Sequence, residues 1–233
     1  MKKNIDYHGF RYPPEIISYT VYLYHRFTLS FRDIEELLAQ RGVIVSYESV
    51  RQWCLKFGSS YARRLRKKAY QFGDHWYLDE ISTVTIYGTR MYFWRAVDQD
   101  GDLIDVLVQK RKDKKAAKRF FRKILKHQDA TPNRMTTDKL RSYVAAKREV
   151  MPSVVHCQDR YANNRAEVSH QPTREQERQM RCFKSMKQAQ RFLSTHGVVN
   201  NLFRLGRHLI RACHYRMFRT EAFGEWQQVT CAY

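Results

Sequence analysis

The apolar positions of this chain change period along its length. From Ser30 to Phe57 they recur at helical spacing in two short runs. Phe31, Ile34, Leu37 and Leu38 form one face behind Ser30 and Asp33, whose S-x-x-D spacing fits a capping box. Gly42 supplies a turn, and Val43 and Val45 can pack between helices. Ser46 can cap a second helix in which Tyr47, Val50, Trp53, Cys54 and Phe57 face inward. Two helices of this length around a glycine-containing connection predict a helix-turn-helix. The outward face of the second carries Glu48, Ser49, Arg51, Gln52 and Lys56. Arg and Gln side chains can read guanine and adenine edges from a helix in the major groove, whereas a plain helical hairpin would only solvate that face. Arg63-Arg64-Leu65-Arg66-Lys67-Lys68 follows as a basic linker suited to tracking phosphate.

The middle of the chain switches to strand character. Residues 76–86, 90–97 and 103–108 are rich in β-branched and aromatic side chains, joined by Tyr87-Gly88-Thr89 and by Asp98-Gln99-Asp100-Gly101-Asp102. The second connection lacks the glycine position and closing glutamate of a calcium loop, so an Asp-Gly hairpin turn is the expectation. Residues 113–127 place Ala116, Ala117, Phe120, Phe121, Ile124 and Leu125 on one helical face. A short extended run ending at Thr136-Thr137-Asp138 comes next, and residues 139–149 return to helical pattern. Three strands, a helix, a strand and a helix place the fourth strand beside the first through a crossover, which is the element order of a ribonuclease-H-like fold.

Further on, Arg174, Arg178 and Arg181 repeat at helical spacing and are candidates for DNA-backbone contact. His170 would share a helical face with Glu167, with Pro172 interrupting that helix. Over 198–218 one stripe of Leu202, Leu205, Leu209, Ile210 and Cys213 predicts a single core-packing terminal helix. His208, Cys213 and His214 lack metal-site spacing and read as structural.

Charge narrows the function. The chain has 233 residues with 43 Lys and Arg against 23 Asp and Glu, a formal net charge of +20, and 43% of its residues are hydrophobic. Such a chain folds around a core and seeks a polyanion, nucleic acid first and a membrane surface second. No run approaches the length of a membrane span and the start lacks a signal-peptide core, so a cytoplasmic, nucleoid-associated protein is expected. Five scattered cysteines without a C-x-x-C pair support neither a disulfide framework nor a zinc ribbon. By segment the net charge is +7 over 1–70, +3 over 71–138 and +12 over 139–220, so the acids gather in the middle third. A protein that holds divalent cations against phosphate needs such acids.

Asp79 lies in the first predicted strand and Asp138, 59 positions on, ends the fourth. Parallel neighbouring strands would let the two share a cation. Glu167, 29 positions after Asp138, is the best candidate for a third carboxylate from a later helix. Glu80, Asp98, Asp102 and Asp105 compete, and alternation does not separate Asp79 from Glu80 because both faces of that strand are partly apolar. Hard oxygen ligands suit magnesium, and two ions about 3.5–4 Å apart can serve both oxygens of a phosphodiester displacement. Lys139 and Arg165, next to the candidate ligands, could hold phosphate oxygens.

The blocks Trp76-Tyr77-Leu78-Asp79-Glu80, Tyr92-Phe93-Trp94-Arg95-Ala96-Val97-Asp98, Thr137-Asp138-Lys139, Asn163-Asn164-Arg165-Ala166-Glu167 and Phe183-Lys184-Ser185-Met186 carry a resemblance. In this order they resemble the D-D-E transposases of the bacterial insertion-sequence six family, over nearly the whole chain. The resemblance implies magnesium-dependent strand cleavage at terminal inverted repeats and transfer of the 3′-hydroxyl into target DNA, typically giving cointegrates. It maps the catalytic, metal-holding carboxylates onto Asp79, Asp138 and Glu167.

The expected protein is thus α/β: a helix-turn-helix domain with basic linker over 1–70, a ribonuclease-H-like mixed-sheet catalytic domain over 71–195, and a helical C-terminal portion over 196–233. Its expected DNA-contacting residues are Ser49, Arg51, Gln52, Lys56, Arg63, Arg64, Lys139, Arg165, Arg174 and Arg178. Two Mg2+ ions, replaceable by Mn2+, and double-stranded DNA are the expected cofactor and partner, with a homodimer or larger synaptic assembly on the DNA. The competing readings are a non-catalytic DNA-binding regulator and a ribonuclease-H-like nuclease or resolvase.

Overall fold

The computed structural model describes residues 5–68, 72–86, 88–128, 130–138, 140–158, 171–179, 182–206 and 208–232. In chain order the elements are α1 (Pro14–Arg26), α2 (Phe31–Ala39), α3 (Tyr47–Lys67), β1 (His75–Ile86), β2 (Thr89–Val97), β3 (Leu103–Gln109), α4 (Lys114–Gln128), β4 (Arg134–Thr137), α5 (Arg141–Val150), β5 (Val155–Cys157), α6 (Gln171–Gln179), α7 (Met186–Phe203) and α8 (Ala212–Thr230). They form two compact units, one of Met1–Tyr70 with Thr195–Tyr233 and one of Gln71–Ser194.

In the helical unit the expected capping box is present. The Ser30 hydroxyl accepts from the Asp33 N–H at 3.1 Å, and the Asp33 carboxylate accepts from the Ser30 N–H at 2.7 Å. Gly42 takes φ +77°, the left-handed turn that a side chain resists. Ser46 caps α3 through the Ser49 N–H. Helix α3 runs on to Lys67, so Arg63, Arg64, Arg66 and Lys67 end a helix instead of forming a linker. Cations at that end complement the helix dipole. A first helix that the period reading missed, α1, begins at Pro14, where a missing N–H costs nothing. Its Ile17 and Val21 are fully buried with Ile34, Val50 and Tyr61 in the same unit.

The C-terminal segment joins this core. Tyr61 and Trp226 meet edge-on with centroids 5.4 Å apart, and the Tyr7 hydroxyl donates to the Thr230 carbonyl. The single helix expected over 198–218 is two, because α7 ends at Phe203 and α8 starts at Ala212, with Gly206 at φ +53° between them. Leu209, expected in the core, is 78% exposed in that connection.

In the sheet unit, five strands run in the order β3-β2-β1-β4-β5, with β1 antiparallel to β2 and parallel to β4. This is the ribonuclease-H-like mixed α/β fold. The hairpin between β2 and β3 is a turn, as expected. The Asp98 carboxylate takes the Asp100 and Asp102 N–H groups at 3.0 and 2.9 Å, and Gly101 adopts φ +82°. The short β5, absent from the sequence pattern, pairs with β4. All five cysteines are free.

On one face of the sheet α4 and α5 bury Phe120, Phe121, Ile124 and Tyr143 against Trp76, Leu78, Trp94 and Ala96. A buried charge fixes α4 in place. Asp105 on β3, 1% exposed, accepts from Lys123 Nζ and His127 Nδ1, both at 2.6 Å, and from the Val106 N–H. Replacing Asp105 by Ala would strand the partly buried ammonium and the Val106 N–H. The expected loss is about 2–3 kcal/mol in denaturant unfolding, at or just below the roughly 3–5 kcal/mol of a fully buried pair because Lys123 keeps some access to water. Asp105→Ala with Lys123→Met together should recover part of it, and no recovery would show that the pair is not what holds the helix.

Candidate functional site: a carboxylate cluster at the end of two parallel strands

Strands β1 and β4 pair from His75↔Arg134 to Leu78↔Thr137. The next residue on each strand is an acid, Asp79 on one and Asp138 on the other. Parallel pairing therefore brings both to the same edge of the sheet, at the point where β4 stops and leaves room. There, ligand oxygens of Asp79, Glu80 and Asp138 lie within 4.8 Å of one another. The antiparallel register with β2 breaks just beyond, between Ile81 and Val84. Such a bulge turns the strand locally.

Alternation separates the neighbours that the sequence left undecided. Glu80 is opposite Trp94, on the face that α4 and α5 cover, whereas Asp79 is opposite Arg95 on the other face. Asp79 Oδ1 accepts from the Glu80 N–H at 2.9 Å, and Asp138 Oδ1 accepts from the Leu140 N–H at 3.0 Å. The second contact orients Asp138 from the turn that leads into α5. The Thr137 hydroxyl donates to the Asp138 carbonyl at 2.7 Å and meets His156 Nε2 at 2.8 Å, tying β5 to the same turn.

The cluster holds excess negative charge in a poorly hydrated place. Burial, then the charges of Asp138 and Asp79, push the Glu80 carboxyl up to about 8, against the opposing influence of the Tyr143 hydroxyl and Lys112. Burial chiefly raises Asp138 too, with the Leu140 N–H acting the other way. Tyr143 is fully buried on α5 close to Glu80, yet neither its hydroxyl nor Glu80 Oε2 reaches hydrogen-bond geometry among the described residues. A buried, unsatisfied oxygen beside two carboxylates suits a hard divalent cation, whose charge would relieve the repulsion. Among the described residues these three form the one such group of potential ligands. Lys112, the cation that lowers both Glu80 and Asp138, was not anticipated from sequence.

A family model described as a DDE domain, named for IS240 transposases, matches residues 73–205. The chain belongs to the D-D-E transposases of the insertion-sequence six family. It is similar to the transposase for insertion sequence-like element IS431mec of Staphylococcus aureus strain Mu50, 31% identical over 161 residues, covering 67% of this chain and 71% of the relative. It is also similar to the transposase for IS257 in transposon Tn4003 of Staphylococcus aureus, 30% identical over the same shares of both chains. Membership makes it a DNA transposase, of a family that uses divalent metal. Among the described residues no helix is long and apolar enough to cross a membrane.

Of the other residues singled out, Glu167, Lys139, Arg165, His170 and Arg181 lie outside the described residues. Arg174 and Arg178 are exposed on α6. On α3 of the helical unit, Gln52 and Lys56 are exposed, but Arg51 is held by Glu48 through hydrogen bonds of 2.8 and 2.6 Å. Gln52 Nε2 donates to the same Glu48 at 3.2 Å, Ser49 meets Ser46, and the Lys56 ammonium sits 4.2 Å from the Phe10 ring centroid. Arg63 is exposed, whereas Arg64 donates to the Val229 carbonyl and to Cys231 Sγ.

The pKa directions set a pH dependence. Glu80 binds its proton more tightly folded than unfolded, so between its ordinary value and about 8 the folded chain holds more protons, and stability falls as pH rises through that window. In EDTA the melting temperature should therefore decline from pH 5 to pH 8. Glu80→Gln should flatten the decline, and Mg2+ should restore the wild type most at pH 8. An unchanged slope in Glu80→Gln would mean that Glu80 is not the group responsible.

Proposed function

We propose that this transposase binds the terminal inverted repeats of its element, cleaves DNA strands there and joins the 3′-hydroxyl ends to target DNA. Asp79, Asp138 and Glu167 are the catalytic carboxylates and would hold two Mg2+ ions, with Mn2+ an effective substitute. The observation that supports this most is the convergence of Asp79 and Asp138 where the parallel β1–β4 pairing ends. Bound divalent ions would supply activation of the attacking oxygen and stabilisation of the leaving one.

The protein's own part is placement. Backbone pairing fixes the spacing of Asp79 and Asp138, and the Leu140 N–H holds the Asp138 carboxylate in one orientation. Glu80 beneath them carries a proton at neutral pH or gives it up when a cation enters. Lys112, Lys139 and Arg165 are suited to steadying the scissile phosphate, and Arg174 and Arg178 to the flanking backbone. On α3, Ser49, Arg51, Gln52 and Lys56 would read the ends, with Arg63 and Arg64 on adjacent phosphates. Joining two ends to one target needs at least two such sites, hence a homodimer or larger assembly.

The test uses a supercoiled donor plasmid carrying the inverted repeats, target DNA and Mg2+. Asp138→Asn should lower joined product on the order of a thousandfold, the several kcal/mol that metal stabilisation of the transition state supplies, while leaving end binding intact. Full strand transfer by Asp138→Asn would overturn the assignment. Nicks without joined product from the wild type would indicate a nuclease, and binding without nicks a regulator.

A further inference from the structure

The segment totals of charge conceal a local concentration. Residues 71–138 contain thirteen Lys and Arg, and ten of them fall within 110–126, where Asp113 is the only acid. That acid is consumed locally, accepting from the Ala116 N–H at 2.8 Å to begin α4. The acids of the segment are mostly on the sheet and its turns, and the bases on one loop and one helix.

Helix α4 sorts these cations further. Its apolar face is fixed to the sheet by Phe120, Phe121 and Ile124. Lys114 and Lys118 both pair with Glu149 on α5, Lys123 with Asp105, and Arg119 donates to Gln109 Oε1 at 2.9 Å. Lys115, Arg122 and Lys126 are exposed and make no ion pair or hydrogen bond among the described residues. With Arg119 they occupy successive helical turns on one side, a row about 16 Å long at 1.5 Å per residue. Lys110, Arg111 and Lys112 extend the exposed charge from the start of α4 to the carboxylate cluster, where Lys112 acts on Glu80 and Asp138.

The chemistry of this row selects its occupant. It exposes ammonium and guanidinium groups, with no exposed Asn, Gln or aromatic side chain between Lys115 and Lys126. Base edges call for paired donors and acceptors, and unstacked single strands call for aromatic platforms. Its arginines could meet a guanine edge, but a row of donors without acceptors or platforms carries no pattern for a base sequence or a single strand, and matches a duplex backbone with a phosphate every ~3.4 Å of axis on each strand.

We propose that Lys115, Arg122 and Lys126 on α4 form a sequence-independent phosphate-binding surface that holds duplex DNA leading to or from the carboxylate site. The surface lies wholly in the sheet unit and is additional to α3. It rests on the reading that the protein binds DNA, which the wild type tests separately.

The experiment measures binding of the full-length protein to a random-sequence 30-base-pair duplex without inverted repeats, by fluorescence anisotropy in EDTA across a KCl series. Wild type should bind at low salt, and no binding at all would overturn the DNA-binding reading itself. Lys115→Gln/Arg122→Gln/Lys126→Gln should reduce the slope of log K against log salt by about 2.7, near 0.9 for each phosphate that is no longer neutralised. Affinity at moderate salt should drop tenfold or more. A control of equal charge, Arg90→Gln/Lys184→Gln/Lys187→Gln, should change the slope much less. The proposal fails if the α4 variant keeps the wild-type slope and affinity, or if the control lowers both as much. Matching melting temperatures for all three proteins will show that surface charge alone was changed, and Lys115→Arg/Lys126→Arg should bind as the wild type does.

Discussion

The parallel pairing of β1 with β4 is the constraint on which the rest of the sheet unit depends. It ends at Leu78↔Thr137, one residue before Asp79 and Asp138, and so carries both acids to the same edge. Parallel neighbours cannot be joined by a tight turn, so the chain must cross the sheet between β3 and β4. Helix α4 is that crossover, and it must bury one face against the strands. The other face is left to solvent, and here it is occupied mostly by cations. One topological requirement thus produces the acidic edge and a basic surface within the same unit.

The acidic edge is electrostatically uncomfortable by construction. Three carboxylates with oxygens within 4.8 Å cannot all ionise cheaply in a half-buried place, and the proton is kept where burial is greatest, on Glu80. Asp79 and Asp138 sit further toward the open edge. Holding a proton on Glu80 would relieve the repulsion in the absence of a cation, and a bound cation would favour its release. That separates the roles of two adjacent residues that the strand pattern treated alike.

The strands were legible because β-branched and aromatic runs of the right length are bounded by Gly and Asp turns, and β1, β2 and β3 begin and end within two residues of expectation. Helix α4 was legible from its apolar stripe. Asp79, inside the first strand, and Asp138, at the end of the fourth, were singled out by the runs of core strand before them together with family resemblance, whereas the part played by Glu80 depends on which face each residue takes, set by register with β2 and invisible in a strand apolar on both sides. The break at Gly206 went unseen because apolar residues continue through it. The basic concentration over 110–126 was hidden by averaging across a segment that also holds the acids, and pairing with Glu149 and Asp105 is tertiary information that no local pattern carries.

Engaged and free cations differ in what they can select. On α3 the Arg51 guanidinium is already satisfied by Glu48, so a DNA contact must replace two charge-assisted hydrogen bonds with equally good ones. A base edge with the right acceptors can do this and a wrong one leaves the group short, which turns prior engagement into discrimination. Lys115, Arg122 and Lys126 on α4 give up only water, so any backbone satisfies them and none is favoured by sequence. On the proposed function, recognising the element's ends and accepting unrelated target DNA would call for both kinds of contact, and the engaged cations of α3 and the free ones of α4 would supply them. Arg51 would stay with Glu48 until a partner with the right acceptors competes for it, whereas Lys115, Arg122 and Lys126 would attract any duplex that approaches.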